Sequence, residues 1–152
     1  MAVLTPNISG LSAPARLPSV YLIEDSNHAR AWMGRWLAAS EGIRYLGACG
    51  SIAESRPAVA ELRPDVLLLD FRLPGEDTPG FIRELVRTGG TRVLVISAYL
   101  DAKPIITAMH AGAGGFYGKD ADQAELLAAI HRVYRGEESV YSASVRRALA
   151  EP

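Results

Sequence analysis

This sequence has a single cysteine, Cys49, so no disulfide can form within the chain. That excludes a small scaffold stapled by disulfides and fits a reducing compartment. Long apolar runs are also missing. No stretch approaches the roughly 20 residues a membrane helix needs. The N-terminus has no basic region, and Pro6 and Pro14 interrupt it, so it does not read as a signal peptide. The expected location is the cytoplasm, with no membrane partner. Nor is there an excess of charge of one sign: the net charge of −1 leaves no basic surplus to hold a nucleic-acid backbone. DNA binding would need a separate module, which is not seen here. His28, His110 and His131 lack metal-ligand spacing.

What is present suits one globular domain. The 152 residues are 49% hydrophobic and 22% charged, enough apolar material for one real core and too short a chain for two ordinary domains. Residues 1–18 are rich in Pro, Ser and Ala without a period, and read as a flexible leader. Beyond them, short apolar runs alternate with helical patterns, the signature of a parallel sheet covered by helices.

The expected strands are Val20–Ile23, Arg44–Cys49, Val66–Leu69, Arg92–Ile96 and Phe116–Gly118. The first helix starts at Ser26 or Asn27 and buries Ala29, Trp32, Met33, Trp36 and Leu37, spaced i, i+3, i+4. The second lies within 51–63, with Ser55 as its expected cap because Pro57 belongs in a first turn. The others are expected over Phe81–Arg87, over Ala102–Ala111 after Asp101, and over Ala121–Arg135 behind an Asp120–Gln123 capping box. The fold class is therefore α/β, a doubly wound five-stranded parallel sheet with five helices. The expected division is a leader 1–18, a domain 19–136, and a linker or tail 137–152.

Sites in such sheets lie beyond the carboxyl ends of the strands. Glu24 and Asp25 follow the first strand, Asp70 the third, Ser97 the fourth and Lys119 the fifth. Three carboxylates brought together repel one another unless a proton or cation joins them. Hard oxygen donors suit Mg²⁺. With Lys119 adding positive charge, the set can neutralise a phosphoryl group while one carboxylate acts as nucleophile. Ser97 can donate to a phosphoryl oxygen. Each residue alone has a plainer reading, as a cap, a loop charge or a solvated lysine. The recurrence at four strand ends carries the assignment.

The segments YLIEDS (21–26), RPDVLLLDFRLPGED (63–77), RVLVISAYL (92–100) and AGAGGFYGKD (111–120) together resemble the response-regulator receiver family of bacterial two-component systems. The resemblance spans about residues 19–136 and implies the flavodoxin-like receiver fold. It implies Asp70 as phosphoacceptor, Glu24, Asp25, Asp70 and the backbone carbonyl of Arg72 as Mg²⁺ ligands, Lys119 as the lysine contacting the phosphoryl group, and Ser97 and Phe116 as switch residues. It also implies a sensor histidine kinase as phosphoryl donor, with a homodimer among the outcomes of switching. Such a protein is a phosphoacceptor that assists its own phosphorylation and dephosphorylation, not a turnover enzyme.

Local wording, including GKDADQAELLAAIHRVYRGE, is similar to the LuxR-type (NarL/FixJ-like) subfamily, whose members usually carry a C-terminal helix-turn-helix. The expected role is thus the N-terminal part of a DNA-binding transcription regulator. The alternatives are a stand-alone receiver and a pseudo-receiver acting as an interaction module. A metal-dependent phosphatase would need a substrate cap and a second acid, which are not seen. Thr78–Pro79 departs from the subfamily's wording and is expected to displace the start of the third helix. Tyr99 and Arg72, each two residues past a site residue, are expected to stand near the path of a hydrolytic water.

Overall fold

The computed structural model describes residues 16–151. Six strands form one parallel sheet: β1 (Ser19–Ile23), β2 (Arg44–Cys49), β3 (Val66–Asp70), β4 (Arg92–Ser97), β5 (Gly115–Gly118) and β6 (Val140–Tyr141), in the order β2-β1-β3-β4-β5-β6. The helices are α1 (Asn27–Ala39), α2 (Ile52–Leu62), α3 (Thr78–Thr88), α4 (Ala102–Ala111), α5 (Gln123–Tyr134) and α6 (Ala143–Ala150).

The apolar runs of β1, β3 and β4 place alternate residues on opposite faces, and both faces are covered. Leu22, Leu68 and Ile96 meet Met33 and Leu37 of α1 and Ile130 and Val133 of α5. On the other face Ile23, Leu69 and Val95 share a core with residues of α2, α3, α4 and α6. Each fully buried Leu or Ile in these layers contributes about 1.5–3 kcal/mol relative to exposure. The α/β doubly wound class stands, but the described residues hold six strands and six helices where five of each were expected.

The additional pair lies in the segment expected to be linker. Val140 pairs with Gly115 and Tyr141 with Phe116, closing the edge of β5, and α6 packs on β5 and α4. Val140 and Val145 are fully buried there. Residues 1–15 of the expected leader lie outside the described residues. Of the rest, Arg16 approaches Asp65 at 3.3 Å and the Pro18 carbonyl accepts from Arg44 N–H at 2.9 Å.

Four local expectations are corrected. The cap of α2 is Ser51, which accepts from Glu54 N–H at 3.1 Å, and not Ser55; Pro57 lies inside the helix. The early start is held from outside, because the Glu76 carboxylate accepts from the free N–H groups of Ile52 at 2.7 Å and Ala53 at 3.0 Å. The start of α3 falls at Thr78, before Phe81, with Asp77 accepting from Gly80 N–H at 3.0 Å and Pro79 in the first turn. Asp122, not Asp120, caps α5. In α1 only Met33 and Leu37 are buried. Trp32 is 50% exposed and Trp36 is half-buried against the edge of the core, and both line a groove between α1 and α5.

Candidate phosphorylation site

The strand ends bring four charged residues together. β1 and β3 pair in register through Ile23 and Leu69, so the residues that follow, Glu24 and Asp70, emerge side by side. One carboxylate oxygen from each of Glu24, Asp25 and Asp70 lies within 4.8 Å of the others. Lys119 reaches across from the end of β5, with Nζ 2.6 Å from Glu24 Oε1 and 3.4 Å from Asp70 Oδ2. Glu24 is 1% and Asp70 4% exposed, whereas Asp25 faces solvent.

Backbone donors and one arginine hold the acidic rim. Ser26 N–H donates to Glu24 Oε2 at 3.1 Å, and Arg72 N–H to Asp70 Oδ1 at 3.2 Å. The Arg30 guanidinium donates to the Glu24 carbonyl at 2.7 Å and more loosely to that of Asp25 at 3.4 Å. Sequence reasoning passed over Arg30 and Glu76. Both act on backbone groups, Arg30 on carbonyls five and six residues before it and Glu76 on N–H groups more than 20 residues away, and no residue pattern announces such contacts.

One lysine cannot satisfy two buried carboxylates. Burial pushes the Asp70 carboxyl up, Glu24 repels its charge further, and Lys119 offsets only part of this, so Asp70 titrates at about 7. Burial acts the same way on Glu24, but the hydrogen bonds from Lys119 and Ser26 outweigh it and hold Glu24 below the ordinary range. Burial lowers and Glu24 raises the Lys119 ammonium, and the raising wins. Lys119 is thus committed mainly to Glu24, and Asp70 is left short of positive charge. Three convergent hard oxygen donors with that deficit fit a divalent cation.

Ser97 and Phe116 stand differently. The Ser97 hydroxyl accepts from Tyr99 N–H at 3.0 Å and donates to the Tyr99 carbonyl at 3.1 Å, so in this state it serves its own turn. Its carbonyl accepts from Lys119 N–H at 2.9 Å, tying the ends of β4 and β5. Phe116 is fully buried, 6.1 Å from the Phe71 ring. Among the described residues no helix is long and apolar enough to cross a membrane.

Comparison with known proteins agrees with this geometry. The family model of the response regulator receiver domain matches residues 20–131. The DNA-binding transcriptional activator DevR/DosR of Mycobacterium tuberculosis is 33% identical over 118 residues, 77% of this chain and 54% of that protein. Response regulator GacA of Pseudomonas viridiflava is 31% identical over 122 residues, 80% of this chain and 57% of that protein. The chain therefore spans little more than half the length of these relatives. A protein-glutamate methylesterase/protein-glutamine glutaminase of Myxococcus xanthus also matches, at 34% over 101 residues, 66% of this chain but only 29% of that protein. Among solved structures, the signal receiver domain of the putative response regulator NarL from Mycobacterium tuberculosis superposes with a TM-score of 0.74 at 28% identity, covering 80% of this chain and 99% of that one. A LuxR-family two-component response regulator from Aurantimonas shares the fold, with a TM-score of 0.80 at 24% identity, covering 89% and 96%. The family model's match over residues 20–131 and the kinship to DevR/DosR and the NarL receiver, together with the strand-end acids and lysine, lead to one conclusion: this chain belongs to the response regulator receiver family, on its LuxR/NarL side.

Proposed function

We propose that Asp70 accepts a phosphoryl group from a sensor histidine kinase, or from a small acyl phosphate, with Mg²⁺ bound at Glu24, Asp25, Asp70 and the Arg72 carbonyl. The observation that carries this is Asp70 itself, a buried carboxylate at a strand end with Lys119 beside it and two further acids converging on it. Bound Mg²⁺ would neutralise charge on the phosphoryl oxygens and supply the positive charge that Asp70 lacks.

The chain's own groups do the rest. Asp70 releases its proton and attacks phosphorus with a carboxylate oxygen. An O–P bond forms as the donor's P–N or P–O bond breaks, and the electron pair leaves with the imidazole or the carboxylate. Lys119 turns from Glu24 toward the new phosphoryl oxygens, and Ser97 exchanges its bond to Tyr99 for one of them. Movement at Ser97 and around Phe116 then alters the surface of β4, β5 and their helices, changing partner contacts or self-association. The protein is a phosphoacceptor in the cytoplasm, not a turnover enzyme. Residues 19–136 are its receiver domain, and its output is transcriptional, through a DNA-binding module outside this sequence, as the kinship to DevR/DosR suggests.

Intact mass after incubation with acetyl phosphate and Mg²⁺ tests this. The expected result is one phosphoryl adduct on the native chain and none on Asp70→Asn. Labelling retained in the variant would overturn the assignment. No adduct on folded native protein, from acetyl phosphate or from a kinase, would favour the pseudo-receiver alternative.

A further inference from the structure

Lys119 is flanked on both sides by groups held from the C-terminal segment. Gly118 N–H donates to Ser142 Oγ at 3.1 Å. Ser142 Oγ lies 3.1 Å from Ser144 Oγ, and Ser144 Oγ donates to Asp120 Oδ1 at 2.9 Å. Hydrogen accounting fixes the direction. Ser144 spends its only hydrogen on Asp120, so Ser142 donates to Ser144. The result is a chain of aligned donors, Gly118 N–H to Ser142 O–H to Ser144 O–H to the Asp120 carboxylate, in which each bond polarises the next. Lys119 lies between its first and last members.

Two glycines give this segment its seat. A Cβ on Gly115 would stand 2.3 Å from the Val140 carbonyl oxygen, and one on Gly118 would stand 2.2 Å from Asp120 Oδ1 and 2.8 Å from Ser144 Oγ. Asp120 is free to take part because Asp122 caps α5. Ser142 is buried, and its oxygen also accepts from Val145 N–H at 3.4 Å at the start of α6.

We propose that Ser142 and Ser144 are positioning residues for Lys119: docking of β6 and α6 sets the reach of the lysine toward Asp70 through the hydroxyl chain at Gly118 and Asp120. This rests on the phosphoacceptor reading above and adds a part of the machinery supplied by residues 140–150. Coupling of this kind is reciprocal. A phosphoryl group that draws Lys119 away from Glu24 pulls on the same chain, and α6 responds.

The test is Ser144→Ala in the full chain. It removes the hydroxyl at the second position of α6, where alanine suits the helix, and leaves Ser142 on Gly118. Phosphorylation by acetyl phosphate with Mg²⁺ is expected to slow about fivefold. In a Lys119→Met background the same change is expected to have no further effect, and Ser144→Thr is expected to restore the rate. Calorimetric titration with Mg²⁺ reads the same placement without phosphoryl transfer. A loosened Lys119 competes less for Glu24, so Ser144→Ala should bind Mg²⁺ about threefold more tightly, and again only when Lys119 is present. Equal losses in both backgrounds, or no change in either, would overturn the proposal and leave the segment a structural cover. If native protein takes no phosphoryl group, the reading of the site fails, while the Mg²⁺ titration still decides the role of Ser144.

Discussion

The acidic and the basic sides of the site are built by different means. Glu24 and Asp70 stand at the ends of β1 and β3, interior strands buried along their whole length and paired to each other in register. Their positions follow from the sheet, and backbone N–H groups finish the work. Lys119 stands at the end of β5, a four-residue strand with glycine at both ends. Its loop is secured by side-chain hydroxyls from residues more than 20 positions away. A carboxylate set can thus be inherited from the framework, whereas the lysine has to be held. The side that is held is the one a signal can adjust.

The largest effect that separates the two sides should come from Gly115→Ala. The new methyl would meet the Val140 carbonyl oxygen at 2.3 Å and Leu94 Cδ1 at 3.0 Å, so β6 has to leave or the sheet has to shift. A loss of about 3 kcal/mol is expected in denaturant unfolding, typical of overpacking a tight interior site. Amide exchange gives the sharper reading: protection should fall across 140–150 and survive in β1 and β3. Uniform loss across all strands would show that the basic side is no more detachable than the acidic one.

On the acidic side, Asp70→Asn should stabilise the metal-free protein. Folded Asp70 titrates near 7, far above the value of about 3.9 for an unfolded aspartate. The folded state therefore holds this proton more tightly, and the stability tied to it is full below about pH 4 and lost as pH rises through about 7. Asparagine carries no charge and loses nothing over that range. The variant's advantage should grow from pH 5 to pH 8, to about 2 kcal/mol, and shrink when Mg²⁺ is added. An advantage independent of pH would mean that Asp70 is not the strained carboxylate of the set.

The same contrast explains which parts of the molecule are legible in its sequence. Strand-end acids can be read there because β1 and β3 are apolar runs that stop at a carboxylate, and a doubly wound sheet gathers such ends. The C-terminal strand and helix cannot. Val140–Tyr141 is two residues long, too short to show a period, and its pairing depends on the missing side chain of Gly115. The cap of α5 is ambiguous locally, since Asp120 and Asp122 are each followed three residues later by Gln or Glu. The structure gives the cap to Asp122, and Asp120 accepts from the distant Ser144 instead. Trp32 and Trp36 fit the buried stripe of α1, yet both line the groove beside α5, where Trp32 is exposed and Trp36 only half-buried, a tertiary outcome that helix spacing does not contain.

The smallest effect lies where the two sides meet. Arg72, just past Asp70, stacks its guanidinium 3.9 Å over the ring of Tyr99, just past Ser97. The pair joins the loops after β3 and β4, and Tyr99 is fixed from below by the Ser97 hydroxyl. A cation over an aromatic face at a half-exposed site is worth about 0.5–1 kcal/mol. Water that hydrolyses phospho-Asp70 has to approach phosphorus on the side away from the aspartyl oxygen, past whatever these loops carry. Tyr99→Ala removes the ring and frees Arg72, so dephosphorylation should quicken about threefold, in step with that energy. Because the two residues act as one barrier, Arg72→Ala added to Tyr99→Ala should bring little more. Unchanged decay of the phosphorylated Tyr99→Ala protein would show that the stack braces the loops without screening the site. The acidic side would then control its own water through Glu24 and Asp25 alone.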